Sequence, residues 1–249
     1  MKVLIGGRHL VYQILSLCFA KLQVRPKIAE LGVLKGDNAA AIDEALRPSA
    51  LLLVDAWSAK AAQSFAQRNH DKTWVEQYYG GPLLEQETYD KLFQAVSDRF
   101  SGKAHVSIIR SNSRDALPAL RQHGKFDMVY VDADHEYEQV FSDLVTYQEL
   151  VGPHGVIQLN DCCHSALGVS INLGVLEAVV KFCKVSDFCP AILTNTDFSD
   201  LLLVRRNSRI ASLVHEEVNA HELLYVEIPE QLLGAARVIN GKSTNLSFV

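Results

Sequence analysis

The stretch FDMVYVDADHEY, Phe126–Tyr137, joins a nearly continuous apolar run to a cluster of charged residues. Its first half has the length and composition of a central parallel strand that is buried on both faces. Its second half places Asp132, Asp134 and His135 directly behind that strand. Because charge beside a buried strand is costly unless something uses it, the stretch predicts a functional edge where the strand ends.

Similar apolar runs recur along the chain and alternate with helical patterns. They lie at 27–32, 50–57, 105–113 and 155–161, and two strands joined by a polar turn follow at 191–205. This alternation predicts an α/β fold, with a doubly wound, mostly parallel sheet of seven strands that closes with an antiparallel hairpin. We assign residues 1–249 to one domain, with an N-terminal helix over 8–23, a core over about 27–206 and a C-terminal extension over 207–249.

Charge and composition favour a small-molecule partner. The net charge is -5 and the chain has no long run of Lys or Arg, which argues against nucleic acid and against an anionic membrane surface. No apolar run reaches the roughly 18 residues that a membrane span needs. The five cysteines are odd in number and lack C-x-x-C spacing, which indicates reduced thiols in a cytoplasmic protein.

The N-terminus combines Lys2 and Arg8 with the apolar stretch LVYQILSLCFA, a pattern that a signal peptide would also show. Gln13 interrupts the apolar stretch, and Leu10, Ile14, Leu17 and Cys18 recur at helical spacing. We therefore expect a packed first helix, which together with the C-terminal tail could form a homodimer contact.

Polar side chains follow five of the predicted strands. In a parallel sheet, ligands bind beyond the carboxyl ends of the strands, so these side chains are expected to surround one site. They are Glu30, Asp55, Asn112, Asp132 and Asp161.

The first loop, ELGVLKGDNAAA, spaces Gly32 and Gly36 four residues apart before a helix, which lets the backbone approach a ligand. It lacks the G-x-G-x-x-G pattern of dinucleotide sites, so a ligand without a pyrophosphate is expected. Asp55 follows the second strand, where a carboxylate can accept the hydroxyls of a ribose. Trp57 would then stack on a base, or pack in the core as the alternative.

Together the motifs resemble class I S-adenosylmethionine-dependent methyltransferases, in particular small-molecule O-methyltransferases with a D-x-D-H-x-Y pattern. The motifs are E-x-G-x-x-x-G, an acid after the second strand, SNSRDALPAL, D-A-D-H-x-Y and GPHGVIQLND. The resemblance covers Lys27 to Arg206 and departs from the family pattern at Asn112 and His154. It implies a cofactor site at which Glu30 and Gly32 line the methionine part, Asp55 holds the ribose, and Asn112 and Ser113 lie along the adenine. Gly36, Ala56, Trp57 and Asp132 are further cofactor-binding candidates.

Oxygen ligands from two neighbouring strand ends also predict a divalent cation. Asp132 follows one strand, and Asn160 and Asp161 end the next, a donor set that suits Mg²⁺. Such an ion would lower the pKa of a substrate hydroxyl and orient its oxygen. A metal-independent reaction stays open as an alternative, and Asp134 is expected to cap the following helix instead of binding the ion.

Two histidines are candidates for the base that takes the hydroxyl proton. His135 lies one turn from Asp132, and His164 follows the fifth strand. The function expected is transfer of a methyl group to a hydroxyl of a small molecule such as a sugar or natural product. An NAD-type oxidoreductase and a non-catalytic cofactor-binding subunit are the alternatives.

Overall fold

A nine-stranded mixed sheet forms the centre of the fold in the computed structural model, which describes residues 1–68, 72–166, 168, 173–239 and 245–249. A separate antiparallel pair lies at the C-terminus. The strands are β1 (Lys2–Leu4), β2 (Lys27–Leu31), β3 (Ala50–Asp55), β4 (Val106–Arg110), β5 (Phe126–Val131), β6 (Val151–Leu159), β7 (Phe188–Thr194), β8 (Leu201–Arg205), β9 (Tyr225–Glu227), β10 (Arg237–Ile239) and β11 (Asn245–Ser247).

Helices connect most of these strands. They are α1 (Arg8–Lys21), α2 (Asp37–Leu46), α3 (Gln63–Arg68), α4 (Thr73–Tyr79), α5 (Gln86–Arg99), α6 (Ser113–Gln122), α7 (Tyr137–Tyr147), α8 (Val175–Val185), α9 (Arg209–Ala220) and a 3₁₀ helix (Glu230–Ala235). Among the described residues, no helix combines the length and the apolar composition that crossing a membrane requires.

The order of the sheet confirms the predicted fold class. Neighbouring strands run β4-β3-β2-β5-β6-β8-β7-β1-β9, and the first five are mutually parallel. β8 is antiparallel to both β6 and β7, as the predicted hairpin requires. The seven predicted strands are therefore present, and the short strands β1 and β9 extend the sheet at one edge.

Alternating strand residues explain why helices cover both faces. Leu52 and Val54 of β3 pack into one apolar cluster, with α6, α7 and α8, whereas Leu51 and Leu53 pack into a second cluster, with α1, α2, α5 and α9. Side chains of a strand point alternately to the two faces, so a continuously apolar strand needs cover on both. Because helices cover both faces of the sheet, the carboxyl ends of the parallel strands are left together at one edge of it.

Helix α1 differs slightly from its predicted face. Its buried residues are Val11, Tyr12, Ile14, Leu15, Cys18 and Phe19. Leu17, which the predicted stripe included, is 36% exposed. The helix is therefore rotated by part of a turn, because it packs against both α2 and α9 and each contact needs its own rows of side chains.

Gly32 allows the closest backbone approach at the carboxyl edge of the sheet. Its φ is +84°, and a Cβ atom there would lie 1.9 Å from the carbonyl oxygen of Asp132 and 2.6 Å from the Cα of Ala133. Its own N–H donates to Val54. No side chain fits in this space, so glycine is what lets the ends of β2 and β5 meet.

Replacing Gly32 by alanine is therefore expected to lower the free energy of unfolding by on the order of 3 kcal/mol, because overpacking and a positive φ both act against the new Cβ. Gly36 is the matched control. Its φ is +76°, but a Cβ there would approach side chains and no backbone, the Phe100 ring at 3.2 Å and a Val96 methyl at 3.4 Å. Gly36→Ala should cost about 1 kcal/mol. Urea unfolding of the two variants measures both values, and equal losses would contradict the close approach.

Candidate active site

Asp55 ties the first two loops of the site together. Its Oδ2 accepts hydrogen bonds from the backbone N–H groups of Val33 (2.8 Å) and Leu34 (2.9 Å), and its Oδ1 accepts from that of Trp57 (2.8 Å). The carboxylate thus fixes the loop after β2 against the end of β3. Its predicted contact with a ribose stays a prediction, for which some of these bonds would have to be shared or exchanged.

Glu30 is buried beside this loop with one oxygen unused. It is 1% exposed, and its Oε1 accepts from the Asn38 side chain at 3.1 Å. Its Oε2 has no hydrogen-bond partner among the residues the structure describes. Burial raises the pKa of Glu30 to about 8, and the Asn38 hydrogen bond opposes that shift only partly. An unpaired buried carboxyl oxygen suits a ligand that brings a hydrogen-bond donor or a cation.

Trp57 packs in the core, so the predicted stacking of its indole on a base is wrong for this conformation. The side chain is 0% exposed, its Nε1 donates to the Leu34 carbonyl (2.9 Å), and its ring packs edge-on against Phe93 (5.2 Å between ring centroids). A fully buried ring presents no face to a ligand. The neighbouring Ala56 is half-buried at the same strand end.

Asn112 and Ser113 start helix α6. The Asn112 Oδ1 accepts from the backbone N–H of Asp115 at 2.8 Å, which caps the helix, and Ser113 Oγ donates to Asp143 Oδ1 at 2.8 Å. Asp143 is itself 3% exposed, and burial raises its pKa to about 6. Both predicted adenine contacts are therefore already engaged within the protein. At α2, Gly36 occupies the cap position.

The residues after β5 and β6 do converge, around His135. His135 Nε2 lies 3.1 Å from Asp132 Oδ1 and 3.5 Å from Asp161 Oδ2. Burial alone would lower the pKa of the imidazole, but the two carboxylates outweigh it and raise the pKa from 6.5 to about 9. Asp161 is 7% exposed, and burial raises its pKa to about 6. This cluster can therefore hold a proton near neutral pH.

Asp134 lies beside the cluster as a turn residue. Its Oδ1 accepts from the backbone N–H of Glu136 at 2.9 Å, and α7 begins one residue later. The expected capping role is thus displaced by two residues, because Glu136 takes the cap position.

The predicted magnesium site does not fit this arrangement. Asn160 Oδ1, the third predicted ligand, accepts a hydrogen bond of 2.5 Å from the Arg8 guanidinium, and His135 Nε2 lies between the two carboxylates. A cation would have to displace both positively charged groups. Across the described part of the chain, no group of three or more His, Cys, Asp and Glu side chains has an arrangement that could hold a metal ion.

His164 belongs to a different contact. Its backbone N–H donates to the Ala236 carbonyl and its carbonyl accepts from Val238, so the residue joins the loop after β6 to the C-terminal segment. Its Nδ1 lies 3.8 Å from Glu177 Oε1. This pairing directs the side chain to α8, which makes His135 the better candidate for a base.

Arg8 and Asp200 are site residues that the sequence did not predict. The Arg8 Nη2 lies 3.1 Å from Asp200 Oδ1, and Asp200 also accepts from Tyr130 (3.1 Å) and Gln158 (2.6 Å). Both groups are contributed by segments far from the central motifs. A polar residue beside an apolar helix or strand was the only signal, and it is common to many surface residues.

A cleft of about 430 Å³ opens beside Arg8, where the start of α1 meets the loop between β7 and β8. The same loop contacts the segment after β6, since Cys162 N–H donates to the Ser199 carbonyl. The cleft is lined by Gly7, Arg8, His9, Thr196, Asp197, Phe198 and Asp200. It combines donors, acceptors and a half-exposed aromatic ring.

Residues 29–162 match a family model described as a methyltransferase domain. This chain belongs to that family. The prediction of an S-adenosylmethionine-dependent methyltransferase is thereby confirmed, and the oxidoreductase alternative is set aside. No curated protein matches the methyltransferase in sequence.

Solved structures with the same fold include several methyltransferases. A putative caffeoyl-CoA O-methyltransferase from Staphylococcus aureus is 13% identical, with a TM-score of 0.53 over 82% of this chain and 86% of that chain. Cofactor-bound Rv0187 from MTB is 18% identical, with a TM-score of 0.51 over 82% and 83%. An O-methyltransferase family protein from Burkholderia thailandensis is 12% identical, with a TM-score of 0.51 over 81% and 57%. At these identities they show the fold alone.

Asp132→Asn is expected to lower the pKa of His135 from its value of about 9, because a charged hydrogen-bond acceptor is lost. An NMR titration of the imidazole measures it. In the wild type, the raised pKa stabilises the folded state fully below about pH 6.5, and this contribution is lost as the pH rises through about 9. Asp134→Asn, which removes a weaker influence on His135, is the control. An unchanged pKa in Asp132→Asn would contradict the assignment.

Proposed function

We propose that this methyltransferase transfers the methyl group of S-adenosylmethionine to a hydroxyl of a small molecule, and that His135 takes the proton. The observation that carries the proposal is the position of His135 Nε2 within 3.5 Å of carboxylates that end two adjacent strands. The D-x-D-H-x-Y pattern, and the O-methyltransferases among the solved structures with this fold, support it by similarity. The net charge of -5 favours a small acceptor over nucleic acid.

The cofactor is assigned to the loops after β2, β3 and β4. Glu30 is the residue best suited to it, because its buried Oε2 is free to accept from the ammonium of the methionine part. Gly32 and Gly36 shape the loop beside it, and Asp55 is proposed for the ribose after exchange of a backbone partner. When bound, the cofactor supplies an electrophilic methyl group on a sulfonium centre.

The acceptor is assigned to the cleft between α1 and the β7–β8 loop. Its ring, Phe198, is 42% exposed, and Thr196, Asp197 and His9 surround it with donors and acceptors. A hydroxylated molecule with one apolar face, such as a sugar or a phenolic compound, suits this lining. Helix α4 is proposed as part of a cover over the cofactor side, because its Tyr78 lies over Lys35 of the first loop, 4.1 Å from Nζ to the ring centroid.

The proton step follows from the charges around His135. The imidazole accepts the hydroxyl proton only when it is neutral, while the new bond from oxygen to the methyl carbon forms and the carbon–sulfur bond breaks. Asp132 and Asp161 then stabilise the imidazolium, as they do in the resting protein. Because the predicted metal ligands do not fit an ion here, we propose the metal-independent form of the reaction.

Formation of S-adenosylhomocysteine with hydroxylated acceptors, for which catechol and a simple glycoside are the first probes, is the direct test. We expect kcat/KM to rise with pH as His135 loses its proton, so that the pH profile shows an apparent pKa of about 9. His135→Gln should lower kcat by on the order of a hundredfold or more, whereas EDTA should leave the rate unchanged.

His215→Gln, at an exposed position on α9, is the matched control and should keep full activity. A limb near pH 6 would assign the proton to Asp161 instead. Activity that EDTA abolishes and Mg²⁺ restores would overturn the metal-independent form, and no product with any acceptor would count against O-methylation.

Binding of the cofactor gives a second test, which needs no acceptor. The affinity of the wild type for S-adenosylmethionine should increase as the pH approaches about 8, where Glu30 ionises and its carboxylate attracts the ammonium group, and should decrease again above it as that ammonium loses its proton. Calorimetry at several pH values measures this increase. Glu30→Gln should bind more weakly at high pH and lose most of the dependence, whereas Glu216→Gln, an exposed control on α9, should retain it. Identical pH dependence in Glu30→Gln and the wild type would remove Glu30 from the cofactor site.

A further inference from the structure

Arg8 reaches from the first residue of α1 into the carboxyl edge of the sheet. Its Nη2 donates to Asn160 Oδ1 at 2.5 Å and lies 3.1 Å from Asp200 Oδ1, and its Nη1 donates to Asn38 Oδ1 at 3.0 Å. Residue 8 lies outside the matched family region, 29–162. A single guanidinium therefore joins α1, α2, the loop between β7 and β8 and the segment after β6.

The contact with Asn160 fixes the orientation of its amide. The Asn160 Nδ2 donates to Asp161 Oδ1 at 2.7 Å, while its Oδ1 faces Arg8. A guanidinium only donates and an ionised carboxylate only accepts, so just one orientation of the amide satisfies both neighbours. Without Arg8, only the hydrogen bond to Asp161 would hold the amide, so one end of it would be fixed instead of two.

The orientation reaches His135 through Asp161. Asp161 has a φ of +61°, in the left-handed region that Asp enters more readily than most other non-glycine residues. Its Oδ1 takes the Asn160 hydrogen bond, which leaves Oδ2 to face His135 Nε2 at 3.5 Å. Arg8, Asn160, Asp161 and His135 thus form one continuous chain of polar contacts.

We propose that Arg8 is a positioning residue for methyl transfer: it holds the Asn160 amide so that the Asp161 carboxylate faces His135. The inference rests on the proposed function for its effect on the rate, but the orientation of the amide can be measured without any acceptor. The ion pair with Asp200 supports the same geometry, because it keeps the guanidinium in place. Arg8 also lines the cleft, so an acceptor bound there would lie next to the guanidinium that begins this series of polar contacts.

The direct test is the NMR signal of the Asn160 side-chain amide. In Arg8→Gln, we expect the two Nδ2 protons to shift and to exchange faster with water than in the wild type. Arg209→Gln, which removes an exposed arginine paired with Glu216 on α9, is the matched control and should leave them unchanged. Unchanged Asn160 signals in Arg8→Gln would overturn the proposal, whatever the activity.

Kinetics then separate positioning from stability. Arg8→Gln should lower kcat on the order of tenfold to a hundredfold, with KM for the methyl donor changed less than about threefold. Asn160→Ala should lower kcat similarly, and the double variant should be no slower than the worse single variant, because both act through one chain of contacts.

Arg8→Lys keeps the charge and the pairing with Asp200 but lacks the planar fork, so it should restore thermal stability more than kcat. Additive losses in the double variant, or a loss that appears only in KM, would overturn the positioning role. A wild type that forms no product would count against the proposed function, while the Asn160 signals would still decide the role of Arg8.

Discussion

The close approach of Gly32 to the backbone of Asp132 is the constraint on which the site depends. Parallel strands β2 and β5 pair along their length. Only a glycine directly after β2 lets the two backbones remain in contact beyond the last paired residues. This contact holds the loop after Glu30, to which Asp55 is hydrogen-bonded, against the backbone of Asp132, three residues before His135. The same glycine thereby controls both packing and the distance between the proposed cofactor loop and the proposed base.

The site collects more negative charge than burial would tolerate without compensation. Glu30, Asp161 and Asp200 all have a raised pKa, and in each case burial is the largest cause. The compensating cations are Arg8 and the protonated His135, each of which contacts two or more of the polar groups. A buried charge costs least when it is paired and hydrogen-bonded, so the acids and the two cations stabilise one another as a network.

This network supports the proposed use of acids at adjacent strand ends in proton transfer instead of ion binding. Oxygen ligands attract a divalent cation only where the neighbouring groups leave room for it and carry no competing positive charge. Here Arg8 faces the amide oxygen and His135 faces both carboxylates. Arg8 comes from α1, so the helix before the matched family region supplies one of the two positive charges that would compete with a bound ion.

Residues close in sequence determined the fold class and the set of strand ends. Apolar runs with β-α-β spacing predicted the sheet, and parallel strands necessarily gather Glu30, Asp55, Asp132 and Asp161 at one edge. Strands β1 and β9 escaped prediction because three residues are too few for a period to appear. The tertiary structure alone decided that Trp57 is buried, and that the Asn160 oxygen faces Arg8, 152 positions away in the chain. Local sequence sets which side chains reach the edge, but which hydrogen bonds they make depends on partners that only folding brings within reach.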